Sequence, residues 1–106
     1  MPLADSSSIP LTKRLEPGRT VFDEGRFFEA HELWEAVWRD LESEERRLVQ
    51  GLIQIAAGLH HRERGRSGPA TRLLTKGLEK LSRCAPALRT ELDVDRLAAL
   101  AARLLT

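Results

Sequence analysis

The sequence predicts an all-α protein, a compact array of about five helices built from hairpin-like units. Three observations carry this. β-branched residues are few, and no sustained alternation of apolar and polar residues marks a strand. Apolar residues recur at helical spacing in nearly every segment from residue 12 onward. Helix-ending and helix-starting residues mark the breaks between those segments, Gly25, Ser43 and the run RERGRSGP among them. At 106 residues the chain is one domain by default, long enough to bury roughly two thirds of its unfolded surface in a single core. Residues 12–106 are assigned to that domain. Residues 1–11, which are small, polar and proline-bounded, are read as a loose N-terminal arm.

The first helix is expected at about residues 17–24. Pro17 suits a first helical position, and Gly25 suits the left-handed residue that ends a helix. The second is expected at about 26–42, with Phe27, Ala30, Leu33, Trp34, Val37, Trp38 and Leu41 on its apolar side. Ser43 is read as the cap of a third helix over about 44–64. Glu44 and Glu45 lie in its first turn, where the helix dipole favours carboxylates. Leu48, Val49, Leu52, Ile53, Ile55, Ala56 and Leu59 cover well over half of its circumference, so this helix should be central. Gly51 and Gly58, seven residues apart on one side, mark the close approach of another helix.

RERGRSGP breaks the chain clearly. Ser67 or Gly68 can cap a fourth helix over about 69–84, with Pro69 in its first turn and Leu73, Leu74, Leu78 and Leu81 on one face. Asp93 or Asp95 starts a last helix with Leu97, Leu100, Ala101 and Leu104 inward. Cys84 falls on an apolar face and reads as core filler. A lone cysteine excludes an internal disulfide and fits a reducing compartment, hence a cytoplasmic protein. No apolar run approaches the roughly 20 residues of a membrane span. The net charge of +1 argues against a dedicated nucleic-acid binder. A 40-residue offset aligns 25–41 with 65–81: Gly25 with Gly65, Ala30 with Ala70, Trp34 with Leu74 and Leu41 with Leu81. The shared pattern loosely resembles a tetratricopeptide-type hairpin.

FFEAHELWEAVW carries the chemistry. On a helix, His31 falls where the apolar face meets an acidic one, and Glu35 and Glu32 address the same point. One reading is an acid/base or ligand-binding histidine; the other is a plain His31–Glu35–Arg39 surface chain. Gln50, Gln54 and His61 form a polar stripe on the third helix between apolar flanks. Because a buried unpaired amide costs about 1–3 kcal/mol, Gln54 should find partners across the hairpin, such as His31 or Glu32. The candidate pocket is therefore Phe28, His31, Glu32, Glu35, Trp38, Gln50, Gln54 and His61. It is read first as a binding site, with no cofactor and no assigned catalytic residue. The alternative is a metal-assisted hydrolase using His31, Glu32, Glu35 and His61 (or His60), although neither HExxH nor Glu-x-x-His spacing is present. A second candidate, for anions, is Arg62, Arg64, Arg66 and Arg72 around the start of the fourth helix. Residues 29–45 hold seven acids and one base, while 62–90 hold eight bases and two acids, a layout that can pair two chains as a homodimer.

FDEGRFFEAHELWEAVW, followed by LVQGLIQIAAGLHH and RGRSGPATRLL, resembles a small bacterial family known as domain of unknown function 309. The resemblance covers about residues 20–82 and rests on G-x-[FY]-[FY]-E-x-H-E-x-x-E-x-x-W with a downstream QGLIQ. Asp23 stands where the family pattern usually has Asn. The resemblance implies a compact all-helical fold and no established activity. Its motif includes the positions of Glu29, His31, Glu32, Glu35, Trp38, Gln50, Gln54 and His61.

Overall fold

A computed structural model describes residues 9–105. Residues 1–8 of the expected arm lie outside that range. Six helices follow in order: α1 Leu11–Asp23, α2 Phe27–Trp38, α3 Ser43–Glu63, α4 Ser67–Ser82, α5 Pro86–Glu91 and α6 Asp95–Leu104. The fold is all-α. The additional helix relative to expectation is α5, one short stretch opened by Pro86 at a first-turn position.

The first helix is much longer than expected, and Pro17 lies inside it. Leu11, Leu15, Gly18 and Phe22 are buried at helical spacing along one face. Packing of that face outweighs the backbone hydrogen bond that proline cannot donate. Conversely, α2 stops at Trp38, so Leu41 reaches the core from the loop. Leu33, expected on the apolar side of α2, is 41% exposed. Ser43 does not cap α3 with its side chain; it occupies the left-handed region at φ 58°. Neither Ser67 nor Gly68 caps α4; both lie within its first turn, after Arg66. In α6, Leu97 and Ala101 are buried, while Leu100 and Leu104 are half-buried against the core.

The turns after α1 and α3 are built alike. Gly25 and Gly65 take φ 83° and 76°, which a glycine adopts without steric cost. Arg26 N donates to Val21 O and Gly25 N to Phe22 O; Arg66 N donates to His61 O and Gly65 N to Arg62 O. These are the paired bonds by which a left-handed residue closes a helix end. The equivalence also extends further upstream than the sequence alignment of 25–41 with 65–81. A Cβ on Gly18 would overlap the Trp34 ring, and one on Gly58 would press on the Leu74 side chain. Gly18 and Gly58 are 40 residues apart, as are Trp34 and Leu74. α1–α2 and α3–α4 are thus two versions of one helical hairpin, each folded over a glycine.

α3 is central, as its apolar circumference predicts, and contacts α2, α4 and α6. Its approach to α4 is backbone-close: a Cβ on Gly77 would stand 2.9 Å from Gly51 O and 2.7 Å from Ile55 Cγ1. α6 is tied back to the end of α1 by Arg96 on Asp23 and by Arg19 bridging Asp23 and Asp93. Glu44, in the first turn of α3, accepts a hydrogen bond from Ala85 N, fixing the exit from α4. Cys84 is buried as expected, and burial pushes its thiol pKa up. Among the described residues, no helix is long and apolar enough to cross a membrane.

This packing gives a direct test. Gly77→Ala gains about 1 kcal/mol of helix propensity yet forces the α3 and α4 backbones apart. The net expectation is a loss of about 1–3 kcal/mol, seen as a fall in Tm of several degrees in thermal unfolding. Gly68→Ala, where the nearest neighbour is the Arg72 guanidinium at 3.6 Å, should leave Tm unchanged or raise it.

Candidate functional site

α2 and α3 run antiparallel. At one end of their contact the Phe28 ring meets His60 at 5.1 Å; at the other the Arg46 guanidinium lies 3.8 Å over the Trp38 ring. Along the same stretch α2 carries His31 and Glu35 and α3 carries Gln50 and Gln54, with His61 following His60, ring centres 6.0 Å apart. The short connection after Trp38 makes this possible. Arg46 Nη1 donates to Trp38 O and Leu41 O, so one side chain satisfies carbonyls at the end of α2 and covers its last tryptophan.

His31 Nε2 lies 3.6 Å from Glu35 Oε2, and Arg39 Nη2 lies 3.4 Å from Glu35 Oε1. The chain His31–Glu35–Arg39 read from the sequence is therefore present. Phe28 stacks on His31 with ring centres 5.7 Å apart and is itself 49% exposed. Glu29 is held at the start of α2 by Arg26, whose guanidinium bonds it and lowers its carboxyl pKa. Glu32 projects into solvent.

Four of the eight pocket residues share a feature that helical geometry alone does not reveal. His31 Nδ1, Trp38 Nε1, Gln54 Oε1 and His61 Nδ1 are buried without a hydrogen-bond partner. Gln54 therefore does not bond through Oε1 to His31 or Glu32, as expected from the sequence. The other tryptophan behaves oppositely: Trp34 Nε1 donates to Leu15 O at 3.1 Å. Trp34 is a core residue with its polar atom satisfied, whereas Trp38 is not. Gln50 is half-buried on the same α3 stripe.

The metal reading fares worse. Among the described residues, no three His, Cys, Asp or Glu side chains stand together so as to hold a metal ion. His31, Glu32, Glu35 and His61 do not converge, because Glu32 points outward. The arginines expected to bind anions are all exposed around the start of α4. Two of them act on the pocket: burial first, then the charges of Arg66, His60 and Arg72, lower the pKa of His61 from its usual 6.5. His61 is thus a neutral imidazole at pH 7.

Two open clefts lie elsewhere. One of about 600 Å³ runs between the α1–α2 turn and α6, over Phe22, Phe27, Leu97 and Leu100. Another of about 470 Å³ lies between the start of α1 and the α2–α3 loop. Neither reaches His31, Gln54 or His61. On the rim of the larger cleft Asp23 and Arg96 bond each other, so those charges are already answered. The unpartnered polar atoms of His31, Trp38, Gln54 and His61 lie outside the linings of both clefts.

Sequence reasoning missed the role of Arg46, because its contact with Trp38 spans a loop whose path depends on the left-handed Ser43. It placed His60 only as a metal candidate; the structure makes it the wall against Phe28.

The sequence pattern of the domain of unknown function 309 family matches residues 15–73, more than half of the chain. The chain belongs to this family. The matched span runs from within α1 into α4 and includes every pocket residue named above. α5 and α6 lie beyond it. A search among curated proteins found no match, and neither did a search among solved structures.

The His61 shift predicts a pH dependence. The unfolded chain takes up a proton on this residue near 6.5, and the folded chain only at lower pH. Stability contributed by the neutral ring is therefore present above 6.5 and is lost as pH falls below it. The His61 C2–H resonance should titrate with a midpoint below 6.5. In an Arg66→Gln, Arg72→Gln variant that midpoint should move up without reaching 6.5, since burial is the larger cause.

Proposed function

We propose that this chain is a small helical binding module that holds a polar ligand in the seam between α2 and α3. The observation that supports this most is the set of four buried, unpartnered polar atoms on His31, Trp38, Gln54 and His61. Leaving such atoms unpaired costs about 1–3 kcal/mol each, a large fraction of the stability of a domain this size. A seam serving only to pack helices would be more stable with leucine or phenylalanine at those positions. Phe28, Glu35 and Gln50 complete the lining, with Glu35 beside His31; Glu32, exposed to solvent, takes no part in it. The unit that acts is the helical domain of residues 12–106. Its lone buried cysteine fits the reducing cytoplasm.

Gln54→Leu separates stability from function. Removing a buried unpaired amide while keeping side-chain volume should raise stability by about 1–3 kcal/mol in urea unfolding. The same substitution should abolish the thermal stabilisation that the wild-type protein shows with its binders in a screen of small polar compounds. A loss of stability in Gln54→Leu contradicts the reading, because it shows that the amide already has a partner.

A further inference from the structure

The cleft of about 600 Å³ between the α1–α2 turn and α6 is separate from the α2–α3 seam. Its volume falls within the roughly 300–1,000 Å³ typical of small-molecule sites. Phe22 and Phe27 line it from the α1–α2 corner; Leu97, Ala99 and Leu100 line it from α6. The two phenylalanines meet edge to face, ring centres 5.1 Å apart. Phe22 and Leu97 are buried, Phe27 and Leu100 are half-buried, and Ala99 is exposed. Gly25, on the same wall, leaves open space, since a Cβ there would meet nothing within 4 Å.

The turn itself does not require these aromatic rings. The equivalent turn after α3 carries Arg62 and Ser67 where the first carries Phe22 and Phe27, and it closes with the same pair of backbone bonds. Arg62 and Ser67 are both exposed. The apolar wall at the first turn therefore belongs to its pairing with α6 and to the cleft between them.

The charged groups of the cleft are Asp23, Arg96 and Arg103, one acid against two guanidiniums. Asp23 is already shared: Arg96 Nη2 donates to it at 3.2 Å and Arg19 Nε at 3.3 Å. A ligand ammonium would compete with two arginines for that one carboxylate. A ligand carboxylate meets the opposite situation. Arg96 engages Asp23 through Nη2, which leaves Nε and Nη1 as donors. Arg103 follows Arg96 by two turns on the same side of α6 and adds a second positive charge to that wall. Guanidinium–carboxylate hydrogen bonds are roughly twice as strong as neutral ones.

We infer that this cleft binds a small amphipathic monocarboxylate. Its apolar body packs on Phe22, Phe27, Leu97 and Leu100, and its carboxylate is held at the arginine-bearing wall of α6.

Naphthoate, naphthamide and naphthylmethylammonium share one flat apolar body and differ in the charge of the head group. In the ¹⁵N-labelled protein the backbone amides of Gly25, Phe27 and Leu100 report the cleft, and the Trp38 indole N–H reports the seam. Naphthoate should shift the three cleft amides saturably at millimolar concentration or below and leave the Trp38 indole in place. It should bind about fivefold more tightly than naphthamide, the difference between a charge-assisted and a neutral hydrogen bond. Naphthylmethylammonium should bind weakest. Arg103→Gln should narrow the gap between naphthoate and naphthamide. Ala99→Glu, which sets a carboxylate on an exposed part of the wall, should close it, with thermal unfolding showing the fold intact. Equal affinity for the three probes, tightest binding of the ammonium, or a preference that neither substitution changes overturns the ligand class. If no probe shifts the cleft amides saturably, the site itself falls.

Discussion

Two glycine contacts set the geometry from which everything else follows. Gly18 lies under the Trp34 ring in the first hairpin, and Gly58 lies under Leu74 in the second. A side chain at either position would push the paired helices apart. With the glycines in place, each hairpin closes tightly, and a left-handed glycine turn fixes the direction in which its second helix leaves. Trp34 completes the first closure by donating to Leu15 O, which binds it to α1 by a hydrogen bond as well as by packing.

Close packing of α3 on α4 divides the work of the central helix. Gly51, Ile55 and Gly58 face α4, where the contact reaches backbone distance. That face, with the core leucines and isoleucines beside it, supplies most of what holds the molecule together. The rest of α3 is then free to carry Gln50, Gln54 and His61, residues that a purely structural helix would not place in a half-buried position. Arg46 and the Phe28–His60 contact close the two ends of the seam. Four polar atoms on α2 and α3 lack hydrogen-bond partners, and the surrounding framework tolerates them.

The helical class, the central place of α3 and the meaning of Gly51 and Gly58 were all legible in the sequence, because each depends on spacing along one helix. So was the His31–Glu35–Arg39 chain along α2, which i, i+4 spacing sets. What was not legible depends on contacts across loops. Pro17 sits inside α1 because Leu11 and Leu15 bury against partners distant in sequence, and no local rule weighs that packing against the lost hydrogen bond. Ser43 and Ser67 look like caps by residue type, yet Ser43 takes a left-handed backbone and Ser67 follows a glycine turn that already closes the preceding helix. Trp34 and Trp38 look interchangeable on a helical wheel. They differ because Leu15 O lies within reach of the first, whereas the second meets a guanidinium. The hydrogen bond expected for Gln54 fails for the same reason: facing helices place side chains opposite one another without guaranteeing that donors meet acceptors.

The most direct test of the account is a crystal structure at a resolution that shows ordered solvent, solved from protein purified without added ligands. The account predicts that His31 Nδ1, Trp38 Nε1, Gln54 Oε1 and His61 Nδ1 have no protein partner. It further predicts non-protein density, solvent or a retained molecule, within about 3.5 Å of Trp38 Nε1 and Gln54 Oε1. A structure in which Gln54 bonds His31 and the Trp38 indole bonds a backbone carbonyl would contradict it, leaving the seam as an ordinary helix–helix contact.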